Sequence, residues 1–120
     1  MANAFNHMEL NTTDVAKAKA FYTGLFQWKI EDIPNMDYSM INTGKAPSGG
    51  LMKHPVPGAP SSWLVYVEVD DIVAATAKAK SLGATIMKDV TEVMGSGKLS
   101  VLIDPTGAAL GLWQPNPKGM

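Results

Sequence analysis

The chain has 120 residues, one net negative charge and no cysteine. Its basic residues are all lysine, so two-pronged guanidinium recognition of carboxylate or phosphate groups is excluded, and a heavily anionic ligand is disfavoured. Absence of cysteine removes disulfides, thiolate metal sites and cysteine nucleophiles; near-neutral charge leaves no nucleic-acid or polybasic membrane footprint.

Length sets the expectation of a single domain over 1–120, and the lack of a leader or long apolar run sets that of a soluble cytoplasmic protein without membrane partners. From Phe5 the chain alternates: His7, Glu9 and Asn11 share one strand face, Met8 and Leu10 the other. The period then changes. Val15, Ala18, Tyr22 and Leu25 are spaced as one side of a helix, with Asp14, or Thr13 just before it, as the cap. Gln27 to Ile33 and Tyr38 to Asn42 read as strands joined by the turn Pro34-Asn35-Met36-Asp37, and Gly49 to Lys53 as a fourth strand. His54 to Ser61 carries three prolines and reads as a semi-rigid connector.

The opening pattern then returns at a constant offset. Trp63 to Val69 alternates, Asp71 is placed to cap, and Ile72, Ala75, Ala79 and Leu82 repeat the helical spacing. Met8 and Leu10 fall on Val65 and Val67, and His7, Glu9 and Asn11 on Leu64, Tyr66 and Glu68. Thr85 to Val90 and Lys98 to Ile103 follow as strands around Gly95-Ser96-Gly97, which has neither the spacing nor the following helix of a phosphate loop. Asp104-Pro105-Thr106-Gly107 is a tight turn, and Ala108 to Gln114 closes the pattern. The chain is strand, helix and three strands, twice: module one over 4–53, linker 54–61, module two over 62–115 and a frayed tail over 116–120.

Certain residues carry a family resemblance. They are His7 before Asn11-Thr12-Thr13-Asp14-Val15, then Ala20-Phe21-Tyr22 with Gly24-Leu25-Phe26, then Val69-Asp70-Asp71-Ile72. The close is Asp104-Pro105-Thr106-Gly107 with Leu112-Trp113-Gln114-Pro115. In that order the chain resembles the vicinal oxygen chelate superfamily of glyoxalase I, extradiol dioxygenases and bleomycin-resistance proteins. The resemblance implies an α+β fold of two βαβββ modules, a curled mixed sheet around a cup with the helices outside. His7, Glu9, Asn11, Leu64, Tyr66 and Glu68 would then line the cup, and Met8, Leu10, Val65 and Val67 would pack beneath the helices.

In metal-using members the ligands come from the first and last strand of each module. His7 stands at the first such position, but Leu64 and Gly111 stand at two others, and Gly49-Gly50-Leu51-Met52 offers no suitable donor for the fourth. The expectation is therefore a chain with no cofactor, with His7 the residue from which any divalent metal would hang. Glutathione-using glyoxalases place an arginine where this chain has Asn11, which speaks against that thiol.

Glu9, Glu68 and His7 are the catalytic candidates, because carboxyl groups in an apolar recess beside an imidazole suit proton transfer next to a carbonyl. Asn11, Tyr66, Trp113 and Gly111 are the ligand-binding candidates, with Trp113 as an aromatic wall beside a glycine gap. The leading reading is a binder of a small, largely neutral organic molecule. Its rivals are a divalent-metal lyase or ring-cleaving dioxygenase, and a non-catalytic dimeric protein that sequesters a drug or toxin; the resemblance further implies a homodimer, since small members of the family commonly pair. Whether a cup closes within one chain or between two is open at this stage.

Overall fold

Asp14 and Asp71 start the two helices in the same way. Each has extended backbone and accepts the N–H three residues on through its carboxylate, from Lys17 at 3.0 Å and from Ala74 at 3.1 Å. That satisfies donors the first turn leaves free. The helices are α1 (Val15–Leu25) and α2 (Ile72–Ser81). The structure, a computed structural model, describes residues 3–93 and 95–116. The expected tail is therefore outside the described residues from 117 onward.

The chain divides into two compact units, one of His7–Leu64 and one joining the opening residues up to Asn6 to the chain from Val65 onward. In the His7–Leu64 unit the strand order is β2 (Lys29–Asp32), β3 (Ser39–Asn42), β4 (Gly49–Lys53) and β1 (Phe5–Thr12). β1 runs parallel to β4, and the other pairings are antiparallel. Leu10, Ile41 and Leu51 form its core, with Val15, Ala18 and Tyr22 from α1 and with Trp28 and Ile30 packed against them. Leu51 is opposite Leu10 and Ile41 is opposite Ile30, so one side of the sheet is apolar and covered by the helix.

The second unit repeats the plan. Its order is β5 (Ser62–Glu68), β8 (Ala109–Pro115), β7 (Gly97–Ile103) and β6 (Thr85–Val93), with β5 parallel to β8. Val69, Ile72, Leu102 and Leu112 form its core, joined by Val67, Ala75 and Ala79. A Thr76–Ser100 hydroxyl pair at 2.9 Å satisfies two buried polar groups there. The fold is α+β, built of two βαβββ modules.

The structure corrects details of the reading. β2 begins at Lys29, not Gln27, because Trp28 joins a ring cluster with Tyr22 and Phe26 at centroid distances of 5.6 and 4.8 Å. β6 continues to Val93 through register irregularities after Ile86 and Lys88, an edge-strand habit that bends the ladder without ending it. Pro115 ends β8. Leu25 and Leu82, expected in the apolar stripes, are 57% and 69% exposed: they sit at the helix C-termini, past the sheet contact made by Tyr22 and Ala79. Leu10 and Val67 pack with the cores, while Met8 and Val65 are half-buried. His54 is half-buried too, its Nδ1 accepting the Val56 N–H at 3.0 Å.

Candidate functional site

Leu10 faces the helix, so its strand neighbours Glu9 and Asn11, with His7 two residues earlier, turn to the opposite, helix-free face of their sheet. In the ladder Glu9 is opposite Gly50, Gly50 opposite Met40 and Met40 opposite Glu31, while Asn11 is opposite Met52. The Met52 thioether and the bare backbone of Gly50 thus flank the polar row of β1, with Met40 one strand further away. Glu9 and Asn11 are each only 6% exposed. The Asn11 Oδ1 atom is buried and receives no hydrogen bond from the described residues. A buried amide oxygen without a donor costs about 1–3 kcal/mol.

Tyr38, the residue before β3, was not singled out from the sequence and belongs to this site. Its phenol oxygen lies 2.8 Å from His7 Nε2, and the two rings are inclined at 24° with centroids 6.4 Å apart. The contact depends on Gly50: a Cβ there would overlap the Tyr38 hydroxyl and ring. The signal was present in the alternation of Tyr38 to Asn42, since Ser39 and Ile41 are the buried residues and Tyr38 falls on the other side. Burial holds the His7 imidazole below its ordinary pKa, because the charged form is poorly solvated there.

The second unit carries the remaining candidates on its own helix-free face. Val67 is opposite core residue Leu112, which leaves Tyr66 opposite Gly111 and Glu68 opposite Trp113 on the other side. The glycine gap expected beside Trp113 is filled: a Cβ on Gly111 would overlap the Tyr66 ring and come within 2.8 Å of its Cγ. Tyr66 is therefore buried at 5% exposure, and Trp113 is half-buried. Glu68 is half-buried, and its Oε1 accepts from Asn6 Nδ2 at 2.8 Å. Its N–H donates to the Ala4 carbonyl at 2.9 Å, and its own carbonyl accepts from Asn3 Nδ2 at 2.9 Å. Of the expected catalytic set, His7 and Glu9 share one unit and Glu68 belongs to the other.

Two grooves, of about 450 and 330 Å³, run beside the helices. One is lined by Val69, Ala79 and Leu112 among others, the second by Leu10, Phe21 and Ser61 among others, and neither contains a candidate residue. They are flanks of the helix–sheet contact. Among the described residues no helix is long and apolar enough to cross a membrane.

Two like modules, each with a helix on one sheet face and polar side chains on the other, define the class: a paired-module α+β protein. A model of the Glyoxalase/Bleomycin resistance protein/Dioxygenase superfamily matches residues 4–112, and the chain belongs to that superfamily. It is 38% identical over 119 residues to the Mycobacterium tuberculosis protein named "Putative glyoxylase CFP32", covering 92% of this chain and 45% of that one. With the anthracycline biosynthesis protein DnrV of Streptomyces peucetius it shares 28% identity over 123 residues, 88% of this chain and 45% of the other. The chain thus spans about half the length of the curated relatives it matches. Among solved structures, the Mn(II)-bound glyoxalase of Novosphingobium aromaticivorans superposes with a TM-score of 0.66 at 13% identity, over 93% of this chain and 38% of that one. That likeness is one of fold.

A metal ion of the kind that neighbour binds does not fit the residues present. His7 Nε2 is engaged by Tyr38, and at the positions the resemblance pairs with it stand Leu64, Gly111 and the run Gly49-Gly50-Leu51-Met52, none with a nitrogen or carboxylate donor. Among the described residues no group of three or more histidine, cysteine, aspartate or glutamate side chains is placed to hold an ion.

Proposed function

We propose that the chain binds a small, largely neutral organic molecule carrying at least one O–H or N–H donor, on the helix-free face of the His7–Leu64 unit. The observation that carries this reading is the buried Asn11 Oδ1 without a donor. A ligand hydroxyl would supply the missing hydrogen bond, and Met52, opposite Asn11 in the ladder, offers adaptable apolar surface beside it. All the chain's cations are lysines, and none of the residues on this face singled out above is one, which suits a ligand without phosphate or carboxylate. The name of the Streptomyces relative, an anthracycline biosynthesis protein, supports a small organic ligand. Chemistry at this face would be proton transfer next to a ligand carbonyl, with Glu9 as the proton acceptor and His7 as its polar neighbour.

The test is titration of the full chain with quinizarin, a planar dihydroxyanthraquinone whose absorption changes on binding. Saturable binding is expected, and Asn11→Leu should weaken it about tenfold, the share of one hydrogen bond to a buried acceptor. Equal binding by the native protein and Asn11→Leu would remove Asn11 from the site, and no binding at all would count against this ligand class.

A further inference from the structure

We propose that His7 serves this chain as the hydrogen-bonding partner of Tyr38 in place of a metal ligand, and that the imidazole–phenol pair is the group that meets a ligand oxygen. The second half rests on the ligand reading above; the first does not. The geometry begins with Gly50. It stands in β4 between β3 and β1, opposite Met40 on one side and Glu9 on the other. Because it has no Cβ, the Tyr38 ring lies over the strand and brings its hydroxyl to 2.8 Å from His7 Nε2.

Any side chain at position 50 and a tyrosine ring over that position exclude one another, since even a methyl group there overlaps the ring. A metal at His7 would need the Nε2 lone pair, and Tyr38 already competes for that nitrogen. The other unit has a similar arrangement on its own strands, with the Tyr66 ring seated over Gly111 in β8. In each unit, then, a strand glycine is the floor for a phenol. One such coincidence could be packing; its repetition in both halves of the chain argues for a shared design.

Chemically the pair is a reversible donor and acceptor. A neutral imidazole carries one N–H. With the proton on Nδ1, the Tyr38 hydroxyl donates to Nε2 and its oxygen accepts from a ligand hydroxyl. With the proton on Nε2, imidazole donates to the phenol oxygen and the phenol proton is directed to a ligand carbonyl. No net charge is needed in either state, which matches a neutral ligand better than an anion.

The experiment uses the full chain with isotope-labelled histidine. Magnetic resonance of the ring nitrogens follows His7, with His54 as the internal reference and His7→Gln for assignment. Tyr38→Phe keeps the ring and removes the hydroxyl, so it should shift the His7 signals and leave those of His54 in place; Gly50→Ala should shift the same signals. Titration with manganese, nickel or zinc ions alone should show no uptake that depends on His7. Quinizarin binding should weaken about 3- to 10-fold in Tyr38→Phe, the share of one hydrogen bond. Unchanged His7 signals in Tyr38→Phe, or a stoichiometric ion lost in His7→Gln, would overturn the first half. Equal quinizarin affinity in native protein and Tyr38→Phe would overturn the second. Failure of the native protein to bind quinizarin would strike the ligand reading and with it the second half, while the resonance and metal measurements still decide the first.

Discussion

Asn11 is the residue at which stability and function part company. Its amide oxygen is buried without a donor from the described residues, at a cost of about 1–3 kcal/mol, and a leucine, with the same branching and no polar atom, would remove that cost. Asn11→Leu is therefore expected to raise the free energy of unfolding by about 1 kcal/mol in denaturant titration even as it loses ligand. A fall in stability would mean that the amide is satisfied in solution. Gly50 and Gly111 behave in the opposite sense. Alanine at either position forces a tyrosine ring to move, and overpacking of this kind costs about 1–3 kcal/mol. The Gly111 substitution should cost more. The overlap at Gly111 reaches Tyr66 Cγ, close to the backbone, whereas at Gly50 it falls on the hydroxyl end of a ring that can swing away. Thermal melting of the two variants checks the order.

At the scale of elements, two identical devices begin the helices. Asp14→Ala and Asp71→Ala are each expected to destabilise the protein by about 1 kcal/mol, as loss of a carboxylate N-cap does elsewhere. Asparagine at either position should recover most of the loss, which separates capping from charge. Strand alternation is the other element-level device, and it was legible: because Leu10 and Val67 must meet the helices, His7, Glu9, Asn11, Tyr66 and Glu68 had to take the other faces. Element ends were less legible. Trp28 left the strand pattern for contact with Tyr22 and Phe26, and β6 ran on past an irregular register, both outcomes of packing partners distant in the chain or across the sheet.

For the whole molecule, pH is the measurable lever. Burial depresses the folded-state pKa of His7 below its usual 6.5, so the unfolded chain binds that proton more readily than the folded one. The stabilisation is complete above about 6.5 and is lost as pH falls through that value toward the lower folded one. Melting temperature should thus decline between pH 7 and pH 5, and His7→Gln should flatten that decline. A slope unchanged in His7→Gln would show that His7 titrates as an exposed side chain. Asp32, held low by its hydrogen bonds to Lys19 and Ser39, and Asp104, held low by Thr106 and the backbone of its turn, act in the same direction. Their influence begins only near and below 3.8, outside this window.

The sequence alone determined the repeated order of strands and helices, the two caps and the sidedness of the polar row, because each follows from interactions among residues within a few positions of one another or from a period that a helix or strand imposes. Only the tertiary structure decided that Tyr38 reaches His7 across Gly50, that Tyr66 fills the space above Gly111, and that Asn11 is left without a donor. Those three facts depend on which strands lie side by side and in what register, and register is fixed by packing between segments tens of residues apart.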